Sequence, residues 1–129
     1  MVKLNFAHIC DYAFLSQPGK INIIGDFNKI YFEPLSSGGK LFYSFFVVTN
    51  FTVPTIGKYI QKIIIKKKLD NLEIFNNNIE REIDRITRIG FIANFGINFP
   101  GYGEYVVEVF LDNKPIIDLP LSLLEEKKE

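Results

Sequence analysis

Three residues near the N-terminus, His8, Cys10 and Asp11, are of the types that form a general base, a nucleophile and an orienting acid. Side chains two positions apart lie on the same face of a β-strand, whereas neighbours point to opposite faces. An extended segment would therefore place His8 beside Cys10 and turn Asp11 away from both. The imidazole would then need an acid from elsewhere in the chain, which the sequence does not identify.

A reactive thiol also needs surroundings that stabilise the thiolate, such as a helix N-terminus. No strand-to-helix turn follows Cys10, and free cysteine is among the most buried residue types. We therefore predict a buried Cys10 thiol beside a hydrogen-bonded His8. A cysteine-dependent enzyme centred on these two residues is the alternative.

A metal centre is poorly supported, because the chain has one histidine and one cysteine. A four-ligand zinc site would need two carboxylates as well. Asp11 or Asp26 could be recruited, but no ligand spacing supports it. The Asp-Asn pairs at 70–71 and 112–113 are typical of hairpin turns rather than of calcium ligands. We predict no cofactor and no metal.

A group of cations could contact the phosphates of a nucleic acid. The residues are Lys62, Lys66, Lys67, Lys68 and Arg88, with Arg81 and Arg85 as further candidates. However, the formal net charge is zero, with 15 basic and 15 acidic residues. Lysines on an edge strand also deter aggregation. The sequence therefore favours a solvated strand face, and nucleic-acid binding is a disfavoured alternative.

The stretch LFYSFFVVTNF, from Leu41 to Phe51, is apolar on both faces if it is a strand. A sandwich strand normally has one apolar and one polar face. Something should therefore cover the second face, which carries Phe42, Phe46 and Val48. The cover is either a segment of the same chain, such as 79–86, or a partner or second copy. We favour intramolecular cover slightly over an interface.

Most of the chain consists of short runs rich in Ile, Val, Phe and Tyr, separated by Gly, Pro, Asn and Asp. This pattern predicts an all-β, antiparallel two-layer sandwich of seven to nine strands, with a closed barrel as the alternative. The turn Gln17-Pro18-Gly19-Lys20 predicts a hairpin, and Asn76-Asn77-Asn78 predicts a loop. Residues 79–86 are ambiguous, because their isoleucines fit either a strand or one short helix.

The totals fit a single domain of 129 residues, spanning 1–124, with a charged tail at 125–129. The apolar fraction is 47%, with 13 phenylalanines, which is ample material for a core. One cysteine excludes an intramolecular disulfide. The N-terminus lacks a signal-type apolar region, and no run is long enough to span a membrane. A soluble, cytoplasmic protein is expected.

Two motifs carry a family resemblance. HICDYAFLSQPGKINIIGDF, near the N-terminus, places Cys-Asp before a Gly-Lys turn and a strand that ends in Ile-Gly. FPGYGEYVVEVFLDNKPI, near the C-terminus, places Gly-x-Tyr before an alternating strand and an Asp-Asn hairpin. In this order they resemble a family of small bacterial proteins catalogued only as a domain of unknown function. The resemblance implies an immunoglobulin-like sandwich, and it supplies no activity, substrate or catalytic residues.

These observations favour a non-enzymatic binding or assembly module that presents a rigid surface. The candidate contact is the face of Phe42, Phe46 and Val48, or else an exposed edge strand. The expected partner is a protein or a second copy of the chain. Nucleic acid and membrane are not expected partners.

Overall fold

The computed structural model describes residues 2–17, 20–32, 41–84 and 88–125, and nearly all of them lie in β-strands. Runs of β-branched and aromatic residues prefer a pleated, half-buried surface, and Gly, Asn and Asp end them at turns. In the described ranges the strands are β1 (Lys3–Gln17), β2 (Lys20–Asp26), β3 (Lys29–Phe32), β4 (Leu41–Thr52), β5 (Gly57–Lys67), β6 (Leu72–Ile83), β7 (Arg88–Phe99), β8 (Gly103–Leu111) and β9 (Lys114–Glu125).

The strands form two separate sheets that pack face to face. The first sheet has the order β2-β1-β4-β7 and the second has the order β3-β9-β8-β5-β6. All neighbours are antiparallel except β3 and β9, which pair in parallel. The predicted all-β sandwich is confirmed. The barrel alternative is wrong, because each sheet ends in strands that pair on one side only.

The core lies between the two sheets and follows the two-residue period of the strands. In β8, Tyr105, Val107 and Val109 are buried, while the residues between them are half-exposed. Aromatic rings on β4 and β7 stack edge to face, with 6.2 Å between the ring centroids of Phe45 and Phe95. Each such pair adds about 0.5–1.5 kcal/mol beyond the area it buries.

A polar pair divides this core into two apolar clusters. Thr49 on β4 donates a hydrogen bond from its hydroxyl to the side-chain oxygen of Gln61 on β5, and both residues are fully buried. On one side of the pair lie Phe45, Val47 and Ile63, and on the other lie Phe51 and Tyr59, each group with further core residues. The bond therefore joins the two sheets at the middle of the sandwich.

Two local predictions in the region of β6 are corrected. Asn76–Asn78 is not a loop, because these residues pair with Ile64, Ile63 and Lys62 of β5. The alternative of a helix at 79–86 is wrong for 79–83, which complete β6, while 85–87 lie outside the described residues. The ladder with β5 is regular from Asn76 to Ile83 and satisfies the backbone polar groups there, and this outweighs the local turn preference of asparagine.

The predicted turns are confirmed where they fall within the described ranges. Asn71, Asp112 and Asn113 adopt left-handed backbone conformations, as tight hairpins require. Gln17 pairs with Lys20, so β1 and β2 form the predicted hairpin, although Pro18 and Gly19 lie outside the described residues. Glu125, placed by the sequence in the tail, is the last residue of β9. The rest of the tail, 126–129, lies outside the described residues.

Candidate functional site

The histidine and the cysteine singled out by the sequence lie on β1, beside β2. The imidazole Nδ1 of His8 is 3.3 Å from a carboxylate oxygen of Asp26, and both side chains are partly exposed. Asp26 is thus the acid from another segment that a catalytic arrangement would need. It lies opposite Cys10 in the β1–β2 ladder.

The Cys10 thiol is nevertheless in surroundings that suppress its reactivity. The residue has no exposed surface and packs with Ala13 and Val48, with Phe46 at the margin of the same cluster. Burial raises the pKa of the Cys10 thiol, and the negative charge of Asp26 raises it further. The protonated thiol is a poor nucleophile, and an attacking substrate would have no path to the sulfur.

Asp11 points away from His8 and serves a different contact. The Tyr43 hydroxyl donates a hydrogen bond of 2.8 Å to Asp11 Oδ1. Burial, together with this carboxylate, raises the pKa of Tyr43 to about 12. In the part of the chain that the structure describes, no three His, Cys, Asp or Glu side chains converge as a metal site would require.

The predicted contact face of Phe42, Phe46 and Val48 is only partly exposed. Phe42 is 54% exposed, Phe46 is half-buried, and Val48 has no exposed surface. The prediction of one continuous contact face is therefore wrong at Val48. Of the three residues, Phe42 is the one whose side chain is open to a partner.

The hairpin of β1 and β2 covers the second apolar face of β4. Cys10 and Ala13 pack on Val48, with Ile21 and Ile23 against the same cluster. The hairpin reaches as far as β7, since Ile21 Cδ1 lies 3.5 Å from the position that a Cβ on Gly90 would take. The cover is intramolecular, as favoured from the sequence, but the suggested covering segment was wrong, because 79–83 belong to the second sheet.

Two backbone irregularities accompany this folding over of the hairpin. Gly25 on β2 has a φ of +72°, and an added Cβ there would lie 2.5 Å from an Asp11 carboxylate oxygen. The β1–β2 ladder shifts register between Leu15 and Gln17. Such irregularities increase the local twist and bend of a strand. Both lie in the part of the hairpin that extends beyond the pairing of β1 with β4, which ends at Cys10.

The cations predicted as a possible nucleic-acid patch do not form one group. Lys62 lies over the Phe110 ring, 5.0 Å from its centroid, and Lys66 pairs with Glu108 at 3.1 Å. Lys67 is half-buried and Lys68 is exposed, both at the far end of β5. Arg88 begins β7 in the other sheet. Arg88 lines the same groove as Ile83, and Ile83 pairs with Gly57, the first residue of β5. Gly57 is roughly 30 Å from Lys67 along β5, so Arg88 lies at the opposite end of the sandwich from Lys67.

Two further features were not predicted from the sequence. The first is the free edge of β7, where Asn94, Gly96 and Asn98 are exposed. The second is a groove of about 700 Å³ beside the other end of β7, between that strand, β6 and the β1–β2 hairpin. The alternation of buried and small or polar residues along FIANFGINF was the available signal for β7. Its position at a sheet edge depends on strand order, which a local pattern does not give.

Comparisons with known proteins agree with this architecture. The crystal structure of the C-terminal domain of wzt is similar to this chain, with a TM-score of 0.61 and 13% sequence identity. The match covers 99% of this chain and 75% of that chain, and at this identity it shows the fold alone. A search of curated proteins gave no match.

A family model agrees with the resemblance carried by the two terminal motifs. The model, described as a family of unknown function, DUF6941, matches residues 5–124. The match extends from β1 to β9 and so includes every described strand at least in part. The described residues contain no helix with the length and apolarity that crossing a membrane demands. The chain therefore belongs to the family of unknown function DUF6941.

Proposed function

We propose that this chain is a non-enzymatic, immunoglobulin-like assembly module of the bacterial cytoplasm, which pairs with a second copy of itself through the free edge of β7. The cytoplasmic location is supported by the single free thiol, since oxidising compartments favour paired cysteines. The observation that carries the proposal is the regularity of the β7 edge. Protein sheets normally protect such an edge against pairing.

The four strands at the edges of the two sheets differ in how they are protected against pairing with another strand. β3 has four residues, and β2 has seven with the left-handed Gly25 among them. β6 carries four charged side chains and a register shift against β5. β7 has twelve residues, no register shift against β4, no proline and a single charge, Arg88, at its first position. β7 is thus the strand best suited to accept another.

The outward-facing backbone groups of β7 can be assigned from one contact. Arg81 on β6 donates a hydrogen bond to the carbonyl oxygen of Gly90, so this carbonyl points away from β4. In an antiparallel strand, alternate residues direct both N–H and C=O to the same side. Ile92, Asn94, Gly96 and Asn98 therefore offer their groups to a new strand.

Phe42 lies where it would flank such a pairing. An added Cβ on Gly96 would be 2.8 Å from the Phe42 ring, so the ring lies over the glycine. A two-fold pairing that sets Asn94 opposite Gly96 of the partner places the exposed ring beside the new strand. Burying part of this ring adds an apolar contact to the backbone hydrogen bonds.

The other two interpretations have weaker support. An enzyme centred on Cys10 and His8 would need a thiolate, and burial holds the thiol in its protonated form. A nucleic-acid interface would need the cations together, and Lys62 and Lys66 are already engaged with Phe110 and Glu108. Edge pairing requires no group that is already in use.

The test is the mass in solution by analytical ultracentrifugation across a range of concentrations. We expect a reversible dimer of the 14.9 kDa chain. Asn94→Lys should raise the dimer dissociation constant at least about tenfold, because a lysine on the edge must be desolvated when strands pair. Asn94→Ala keeps the backbone N–H and adds no charge to the edge, so it should change the dimer dissociation constant less than about threefold.

Ser44→Lys is the matched charge control, because Ser44 is exposed on the same face but on the central strand β4. It should leave dimerisation unchanged. A chain that stays monomeric at millimolar concentration would contradict the proposal. So would a dimer that Ser44→Lys weakens as much as Asn94→Lys does.

A further inference from the structure

The groove beside β7 has apolar walls and a positively charged mouth. We propose that it binds a long-chain monocarboxylate of the fatty-acid class, with the alkyl chain in the groove and the carboxylate on Arg81 and Arg88. The two arginines lie toward the opposite end of β7 from Asn94–Asn98, and Ile92 borders both sites. The inference does not depend on self-association, because the groove is lined by one chain.

The walls come from three elements that meet at one flank of the sandwich. The β1–β2 hairpin contributes Leu15 and Ile21, β6 contributes Ile79 and Ile83, and β7 contributes Ile92. The volume of about 700 Å³ is within the range of small-molecule sites. Each methylene that moves from water into such a groove tightens binding about fourfold.

The charged residues that line the groove, among those that the structure describes, have the same sign. They are Arg81 and Arg88, and no carboxylate of the described residues lines the groove. Arg81 reaches the Gly90 carbonyl, and Arg88 lies two positions before Gly90 on the same face, roughly 7 Å along the strand. The Arg81 guanidinium therefore lies at Gly90, and Arg88 lines the same groove. Planar guanidinium groups bind carboxylates through paired charge-assisted hydrogen bonds.

Two hydrogen-bond acceptors that line the groove are already engaged, which favours an alkyl chain over a peptide. A bound peptide needs partners for its own amides. The Gly90 carbonyl is already bonded to Arg81, and the Asn50 side-chain oxygen accepts a hydrogen bond of 2.9 Å from Asn5. An alkyl chain makes no such demand, and its single anionic end matches the arginines.

Gly90 keeps the floor of the groove open. Its backbone has no left-handed conformation that requires glycine. A Cβ there would make ordinary contacts, the nearest at 3.5 Å from Ile21 Cδ1. A larger side chain at this position would press on Ile21 and narrow the space that we assign to the ligand.

The experiment is calorimetric titration of the full chain with monomeric dodecanoate, and separately with dodecan-1-ol and dodecyltrimethylammonium. We expect dodecanoate to bind at least about tenfold more tightly than the alcohol, because hydrogen bonds to a charged group add that much. The cation should bind more weakly than the alcohol. Chain-length dependence should also appear, with decanoate about tenfold weaker than dodecanoate.

Three variants separate the contribution of the Arg88 charge from that of the space above Gly90. Arg88→Gln should weaken dodecanoate about tenfold and leave the alcohol within twofold. Lys58→Gln removes the same charge from an exposed position on β5 that does not line the groove, and should change neither. Gly90→Val should weaken both ligands about tenfold. If Gly90→Val does not fold, amide NMR shifts of the unmodified protein should move at Gly90 and Ile92 when dodecanoate is added.

Three results would overturn the proposal. The first is the absence of dodecanoate binding, and the second is equal affinity for the acid, the alcohol and the cation. The third is a set of NMR shifts confined to residues outside the groove. Loss of dimerisation in Asn94→Lys with unchanged dodecanoate binding would show that the two sites are separate.

Discussion

The Cys10 side chain lies in an apolar layer on the outer side of the first sheet, beneath its own hairpin. Its thiol has no exposed surface, and burial and the nearby Asp26 carboxylate both disfavour the thiolate. His8, one pleat away, has its imidazole beside Asp26 at the surface. Residue types that suggest a catalytic cluster are thus divided between a buried apolar layer, which holds Cys10, and a partly exposed contact between His8 and Asp26.

The Cys10 thiol should react slowly with a thiol reagent such as Ellman's reagent. Because its pKa is raised, the thiolate fraction at any pH near neutral is smaller than that of a free cysteine, and labelling also requires local opening. We expect native labelling at least about a hundredfold slower than in denaturant. The exposed thiol of a Cys10→Ala, Ser44→Cys variant is the control and should react at once. Rapid native labelling at neutral pH would restore the enzyme interpretation.

At the scale of the element, some strands are specified by their local sequence pattern and others by pairing with a distant strand. The alternation in Tyr105–Leu111 specifies a strand and its buried face, and both are present. Three consecutive asparagines at 76–78 favour a loop locally, yet pairing with β5 holds them in a strand. The position of β7 at a sheet edge, and with it both candidate sites, depends on which strands become neighbours. That order is set by contacts between distant segments and was not predictable from any one of them.

The hairpin that covers β4 depends on a conformation that side chains other than glycine rarely adopt. Gly25 has a φ of +72° and lies against the Asp11 carboxylate. Gly25→Ala should lower the free energy of unfolding by about 1–2 kcal/mol for the left-handed backbone alone. Chemical denaturation with a circular-dichroism readout measures this change.

Gly101→Ala is the matched control for that substitution. No positive φ is found at Gly101, and an added Cβ there meets nothing within 4 Å. This variant should be neutral or more stable by less than about 1 kcal/mol, because alanine restricts the unfolded chain. Equal losses in both variants would mean that the Gly25 conformation does not matter for the hairpin.

At the scale of the whole molecule, a buried polar contact crosses the apolar core that the described residues of the two sheets form. The Thr49 hydroxyl on β4 donates to Gln61 on β5, and the amide nitrogen of Gln61 has no partner among the described residues. An apolar pair would fill this space without leaving a polar group unpaired. Relative to such a pair, the contact costs stability.

A double-mutant cycle on Thr49 and Gln61 measures how much the hydrogen bond between the two side chains contributes to the free energy of unfolding. Thr49→Val leaves the Gln61 oxygen buried without its donor and should lower the free energy of unfolding by about 1–3 kcal/mol. Gln61→Leu alone should also destabilise, because it strands the Thr49 hydroxyl. The double variant should be at least as stable as the unmodified protein, since removing both partners together leaves no unpaired group at this contact. Additive losses in the double variant would contradict the argument. They would mean that each side chain stabilises the core independently, through its packing rather than through the bond between the sheets.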